Sequence, residues 1–217
     1  RLRVFLWDSF SVEAPEVEAL LRACGTLEVF EMKMPSNYTR NEEFAISNAE
    51  WSRRIFAATP SRLSTLSCQV PRPVSDPCRN LLGSLADGSA FRRFTCLEHL
   101  TLPCALMTNV AVIKNCLASL PMLRSLTLRG GMEIEHDAGT SETCFESPYT
   151  SFELASDSLE TFFMCQGKYY NYVSSYQCPK LKNLCFSHLW LERKGKEPAW
   201  NALRTGVTAI ANVQRGL

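Results

Sequence analysis

Little in this chain marks a catalyst. Its three histidines, His99, His136 and His188, lie far apart in sequence. Ten cysteines are present but no C-x-x-C pair, so the close paired ligands of a zinc site are missing. The phosphate-cradling G-x-x-x-x-G-K-[ST] and G-x-G-x-x-G are absent, as are G-x-S-x-G and H-E-x-x-H. No apolar run approaches the roughly 18–20 residues of a membrane span, and no signal segment is visible. Charge is balanced, with 23 basic against 22 acidic side chains and a net of +1. That balance gives no sign of a nucleic-acid or acidic-membrane partner. The densest basic cluster, Arg193, Lys194 and Lys196, reads as a solvated loop. The chain opens on Arg1-Leu2-Arg3 without Met, and the expectation is a fragment of a longer chain.

What is present is a core and a repeat. Of 217 residues, 46% are hydrophobic and 21% charged, the balance of a folded domain rather than a disordered one. The most regular stretch, 120–131, reads LPMLRSLTLRGG. Leu126 and Leu128 alternate with Ser125 and Thr127, the period of a strand with one buried face. Leu123 leads in, and Gly130 and Gly131 end it. The same L-x-x-L-x-L spacing recurs as LRVFLW from Leu2, LEVFEM from Leu27, LSTLSC from Leu63 and LEHLTL from Leu97. It returns as LETFFM from Leu159 and LKNLCF from Leu181. Seven units averaging about 30 residues, each with one short strand, are the signature of stacked repeats.

The connections carry helical signals. Val17, Leu20, Leu21 and Cys24 share one helix face, with Pro15 in its first turn and Gly25 placed as a left-handed C-terminal residue. Ser47 and Glu50 form a capping box before Trp51, Ile55 and Phe56. Asp76-Pro77 caps a stripe of Leu81, Leu82 and Leu85. Val110, Ile113, Leu117 and Leu120 share a face, as do Trp200, Leu203, Val207 and Ile210. By contrast, 132–157 lacks helical period and reads as a loop insertion, 33–46 as a shorter excursion, and 165–180 as a linker too short and polar for a full helix.

Cys68 fills the last apolar slot of a repeat, and Cys24 and Cys116 fall in helical patterns. The cysteines therefore read as reduced, buried thiols of an intracellular protein, cytoplasmic or nuclear, with an organellar setting as the alternative. His99 near Cys96 and Cys104 is the one local Cys-His grouping. Strand alternation points His99 to solvent, away from a catalytic or metal role. Glu133, Glu135 and Asp137 read as a solvated loop. Tyr169, Tyr170, Tyr172 and Tyr176 read either as a binding patch or as packing beneath a loop. No catalytic residue, cofactor or metal is expected.

LEHLTL, LRSLTL and CPKLKNLCF resemble the leucine-rich repeat family, over nearly the whole chain. The resemblance implies an α/β solenoid, a horseshoe or arc, with a parallel concave sheet of about seven strands and helices on the convex side. It spans 1–217 as a single domain. The spacing C-x-x-L-x-x-L-x-F from Cys178 to Phe186 is similar to the cysteine-containing repeats common among F-box proteins. That implies substrate recognition for a ubiquitin ligase, with a cullin-ligase adaptor engaged through a segment upstream of residue 1. The alternative is a structural subunit of a large organellar or cytoskeletal assembly. In either case the partner is another protein, and the expected contact positions lie between the leucines of the concave face: Glu98, His99, Arg124, Thr127, Arg129, Glu160, Phe163 and Lys182. Val4 and Leu6 stand at such positions in the first strand, so further repeats or another domain are expected ahead of it.

Overall fold

The computed structural model describes residues 2–8, 14–33, 54–69, 90–103, 110–129, 151–165, 172–187 and 211. Each hexamer becomes a five-residue parallel strand. These are β1 (Val4–Asp8), β2 (Val29–Lys33), β3 (Thr65–Gln69), β4 (His99–Pro103), β5 (Ser125–Arg129), β7 (Thr161–Cys165) and β9 (Asn183–Ser187). They form one seven-stranded sheet in the order β1-β2-β3-β4-β5-β7-β9. The other elements are helices α1 (Ala14–Ala23) and α2 (Val110–Ser119), and strands β6 (Ser151–Ala155) and β8 (Tyr172–Gln177).

The leucine spacing dictates the register. Phe5, Phe30, Leu66, Leu100, Leu126, Phe162 and Leu184 are partners from strand to strand. From Phe30 to Phe162 that row is buried at 1% exposure or less. A second buried row holds Leu27, Leu63, Leu97, Leu123, Leu159 and Leu181. A third holds Met32, Cys68, Leu102, Leu128 and Met164. All belong to one continuous core. Each large apolar side chain withdrawn from water contributes about 1.5–3 kcal/mol before entropy is counted, so this stacking holds the sheet together.

Backbone bonding repeats with equal regularity. The carbonyls of Arg3, Glu28, Ser64, Glu98, Arg124 and Glu160 each accept two N–H donors from the next unit, for example Glu28 and Val29 on Arg3, at 2.8–3.1 Å. Ahead of the later strands a tight turn places the leading leucine. The N–H groups of Leu27, Leu97, Leu123 and Leu181 donate to the carbonyls of Cys24, Phe94, Leu120 and Cys178. In the sixth unit the Ser156 hydroxyl takes that role, accepting from Leu159 N–H at 3.2 Å.

Behind the sheet the layer changes character. α1, a helical turn over residues 54–58, and α2 back the earlier units. β6 and β8 back the last two, paired with each other in parallel. α1, α2, β6 and β8 each end four residues before the leading leucine of the next unit. The end of the loop insertion read at 132–157 is therefore a strand: Phe152 and Leu154 alternate with Ser151 and Glu153, a period of two rather than no period. The linker read at 165–180 likewise contains β8.

Two further expectations change. Leu20 is 38% exposed, while Val17, Glu18 and Leu21 are buried. The buried arc of α1 is centred near Leu21, about 100° from Leu20 on the helical wheel. Gly25 lies in the turn after α1 with open space around an added Cβ and without a left-handed φ, so no glycine is required there. The capping box at Ser47–Glu50, the 76–85 segment, the excursion after Lys33 and all but Ala211 of the 198–213 segment lie outside the described residues.

Candidate interaction face

All eight expected contact residues fall on or just ahead of four adjacent strands, β4, β5, β7 and β9. Ladder spacing of about 4.8 Å puts roughly 14 Å between the outer two. Within that patch they divide into distinct rows. Glu98, Arg124, Glu160 and Lys182 stand one residue past the leading leucine, where the shared carbonyls also lie. His99 is exposed, two residues past its leucine, and registers with Thr65 and Ser125. Thr127 and Phe163 are direct partners and half-buried. Arg129 closes β5 at the far end, exposed and opposite Pro103. Arg124 and Arg129 therefore flank the patch rather than cluster with Phe163.

The charged row is internally paired. Arg3 bonds Glu28 through two nitrogens at 3.0 and 2.5 Å. Arg124 Nε lies 3.7 Å from Glu98, and Lys182 Nζ donates to Glu160 at 2.9 Å. The hydrogen bond from Lys182, then its charge and those of Arg124 and Lys180, hold the Glu160 carboxyl below the usual carboxylate range against a smaller opposing effect of burial. The Arg3 guanidinium is raised, first by its hydrogen bond to Glu28 and then by that charge. Such exposed pairs are worth little each. Their effect is to order long side chains along one border of the sheet. The sign sequence Arg3, Glu28, Ser64, Glu98, Arg124, Glu160, Lys182 emerges only once the strands are in register, because partners are 22–36 residues apart in the chain.

Between these borders the face is mostly uncharged: Thr65, His99, Ser125, Thr161 and Asn183 in one row, with Thr101, Thr127, Phe163 and Cys185 in the next. Ser67, between Leu66 and Cys68 in β3, is buried at 9% although it stands in this row. Gln69 explains it: its amide reaches the Glu31 carboxylate at 2.6 Å and lies 3.5 Å from the Ser67 hydroxyl. Phe163 is the one aromatic side chain among the described positions of these rows, flanked by Thr127 and Cys185. Asn183 donates to the Thr161 hydroxyl at 3.2 Å.

Other chemistry is modest. Cys68 and Cys116 are free, buried thiols. Burial pushes Cys68 up to about 12 and Cys116 higher still, so both stay protonated and unreactive. Cys178 is raised to about 11, chiefly by burial, and its thiol donates to the Leu154 carbonyl. It faces an open groove of about 780 Å³ between the end of α2 and the ends of β6 and β8. Tyr176 beside it packs against the core, with a buried hydroxyl that has no partner among the described residues. For this member, packing describes the tyrosine group. Tyr172 lies in β8, and Tyr169 and Tyr170 are outside the described residues. His136, His188, Glu133, Glu135, Asp137 and the 193–196 basic cluster are outside them too. Among the described residues no group of three or more His, Cys, Asp or Glu is placed to hold a metal. No described helix is long and apolar enough to cross a membrane.

No family model matches the chain, and no curated protein or solved structure shows significant similarity to it.

Proposed function

We propose that this chain is a leucine-rich-repeat interaction module, non-enzymatic, that binds another protein across the exposed face of the seven-stranded sheet. The observation that carries the reading is the stacking of three buried apolar rows through the middle units, from Leu27 to Met164, with mostly exposed or half-buried rows between them. The geometry favours a solenoid. Helices pack about 8–10 Å apart and strands about 4.8 Å, so a sheet backed by helices bends with its strands inside. A rigid, preordered face lowers the entropy cost of association. Phe163 with Thr127 is the apolar centre of the patch. His99 and Arg129 are its adaptable polar contacts, and the row Glu98, Arg124, Glu160, Lys182 is a charged rim.

In its most specific form the module is the substrate-recognition part of an F-box-type ubiquitin ligase adaptor, working inside the cell. The spacing from Cys178 to Phe186 and the buried, protonated thiols support this form. A photo-crosslinking side chain at Thr127 or at Leu20, behind the sheet, tests the face. Adducts with a partner are expected from Thr127 alone, and Phe163→Ala is expected to weaken capture about tenfold or more. Equal adducts from both positions would remove the sheet face from consideration. Co-purification of a cullin-ligase adaptor with the full-length polypeptide tests the specific form.

A further inference from the structure

Where a helical segment behind the sheet ends, its last carbonyls lack intrahelical donors and carry the negative end of the helix dipole. Two of the three described ends have an arginine. α1 holds Arg22 in its last turn, and its Leu20 and Leu21 carbonyls accept the Cys24 N–H. The turn over residues 54–58 is served from the next unit. Arg93 Nη1 donates to the Phe56 carbonyl at 3.1 Å and also to the Ala57 carbonyl. The same guanidinium lies 5.7 Å from the centroid of the Phe94 ring, which helps to hold it in place.

The end of α2 differs. Its last turn holds no basic residue. Arg93 stands four residues before the leading Leu97, and the residue four before Leu159, in the unit after α2, is Ala155. The carbonyls equivalent to those of Phe56 and Ala57 belong to Cys116 and Leu117. With alanine in the arginine's place, space stays open: the groove of about 780 Å³ has Leu117, Ala118 and Pro121 on one wall and Ala155 and Asp157 on the other. No cation lines it, and Asp157 is exposed with no ion pair among the described residues. Its volume is that of a cleft that takes a small ligand, roughly 300–1,000 Å³. We propose that this groove seats an arginine side chain of a partner polypeptide, its guanidinium donating to the last carbonyls of α2 and to the Asp157 carboxylate. The occupant repeats, between molecules, what Arg93 does within the chain. The planar fork reaches carbonyl and carboxylate together, which a lysine point charge does less well. No lining residue belongs to the seven-stranded sheet, so this contact is separate from the exposed sheet face.

The probe is the blocked peptide acetyl-Gly-Arg-Gly-amide, titrated into the full chain and followed through the backbone amide NMR signals of Ala118, Asp157 and Ser158. Its twin carries citrulline, which keeps the shape of arginine without the charge. The arginine peptide is expected to bind at least tenfold tighter than the twin and to leave the signals of Thr127 and Phe163 unmoved. Asp157→Asn should weaken it about fivefold. Ala155→Arg, at an exposed position at the end of β6, should fill the groove from within and abolish the shifts with an unchanged circular dichroism spectrum. Equal affinity for the two peptides, no binding at all, shifts confined to the sheet face, or binding that survives Ala155→Arg overturns the proposal. So does self-association in sedimentation that Ala155→Arg abolishes, because the occupant is then a second copy.

Discussion

The first five units and the last two solve the same problem with different backs. In the former, the described helical segments, α1, residues 54–58 and α2, carry apolar residues that close the core behind the sheet, as Val17, Leu21, Ile113 and Leu117 do. In the latter, β6 and β8 do so, with Leu154 fully buried and Tyr176 packed against the core. The front is unchanged across the boundary: Leu126 still registers with Phe162, and Arg124 still accepts two donors from the next unit. The front ladder thus asks only for apolar residues at fixed spacing. The back asks only for an element that ends four or five residues before the leading leucine. Helices are about twice as wide as the strand spacing, so a strand-backed end relaxes the mismatch between layers.

The largest test of that comparison is a matched pair of core truncations, Phe30→Ala in the helix-backed part and Phe162→Ala in the strand-backed part. Both side chains are almost fully buried in one row of one core. Each is expected to cost about 3–5 kcal/mol, within a single cooperative urea transition seen alike by fluorescence and circular dichroism. A two-step transition in Phe162→Ala alone would divide the molecule at the boundary.

The second test is alkaline pH. Cys68, in the helix-backed part, is pushed from 9.0 to about 12 by burial. A buried thiol stays protonated in the folded chain after the unfolded chain has lost its proton. Its contribution is therefore complete below pH 9 and declines as pH rises from about 9 to about 12, by roughly 1.4 kcal/mol per pH unit. Cys178, in the strand-backed part, is raised only to about 11, so its decline ends about one pH unit earlier. Urea midpoints measured in reductant at stepped pH, for the parent and for Cys68→Ala and Cys178→Ala, read the two windows. Identical alkaline profiles in all three would show that neither thiol ionises on unfolding.

The smallest test targets one turn. Ser156 is the side-chain substitute for the carbonyl that receives the leading leucine's N–H in four other units. Ser156→Ala is expected to cost about 1 kcal/mol, read as a shift in urea midpoint. No shift would mean that water or a local rearrangement satisfies Leu159 N–H equally well.

The front sheet was legible because its signal is local and repeated. An L-x-x-L-x-L hexamer states its own strand, and seven of them state a stack. α2 was legible for the same reason, through Val110, Ile113, Leu117 and Leu120. β6 and β8 were not, because their strand signal is short and polar on one side. In β8 the register also shifts between Phe152 and Glu153 of its partner, leaving Ser174 between the residues that pair with them. That shift breaks the alternation on which sequence reading depends. Glu18 was hidden by a different cause. Its burial is made tolerable by Arg22 and by Arg54, each 2.6 Å from the carboxylate. The opposing effect of burial is the largest single influence on that carboxyl, yet the two arginines together hold it below its usual range. Arg54 lies 36 residues away in the chain, where no periodicity points to it.

The candidate face divides along the same line. Local alternation was enough to mark His99, Thr127 and Phe163 as lying outside the apolar rows. That Glu98, Arg124, Glu160 and Lys182 form one paired border, with Arg124 and Arg129 at opposite ends of β5, required the register of strands far apart in the chain. The sequence by itself determined the repeat and the core rows, because burial in a strand follows from a period of two. Only the tertiary structure decided that the strands run parallel, which charges meet and where helices give way to strands, because those depend on contacts between units rather than on patterns within them.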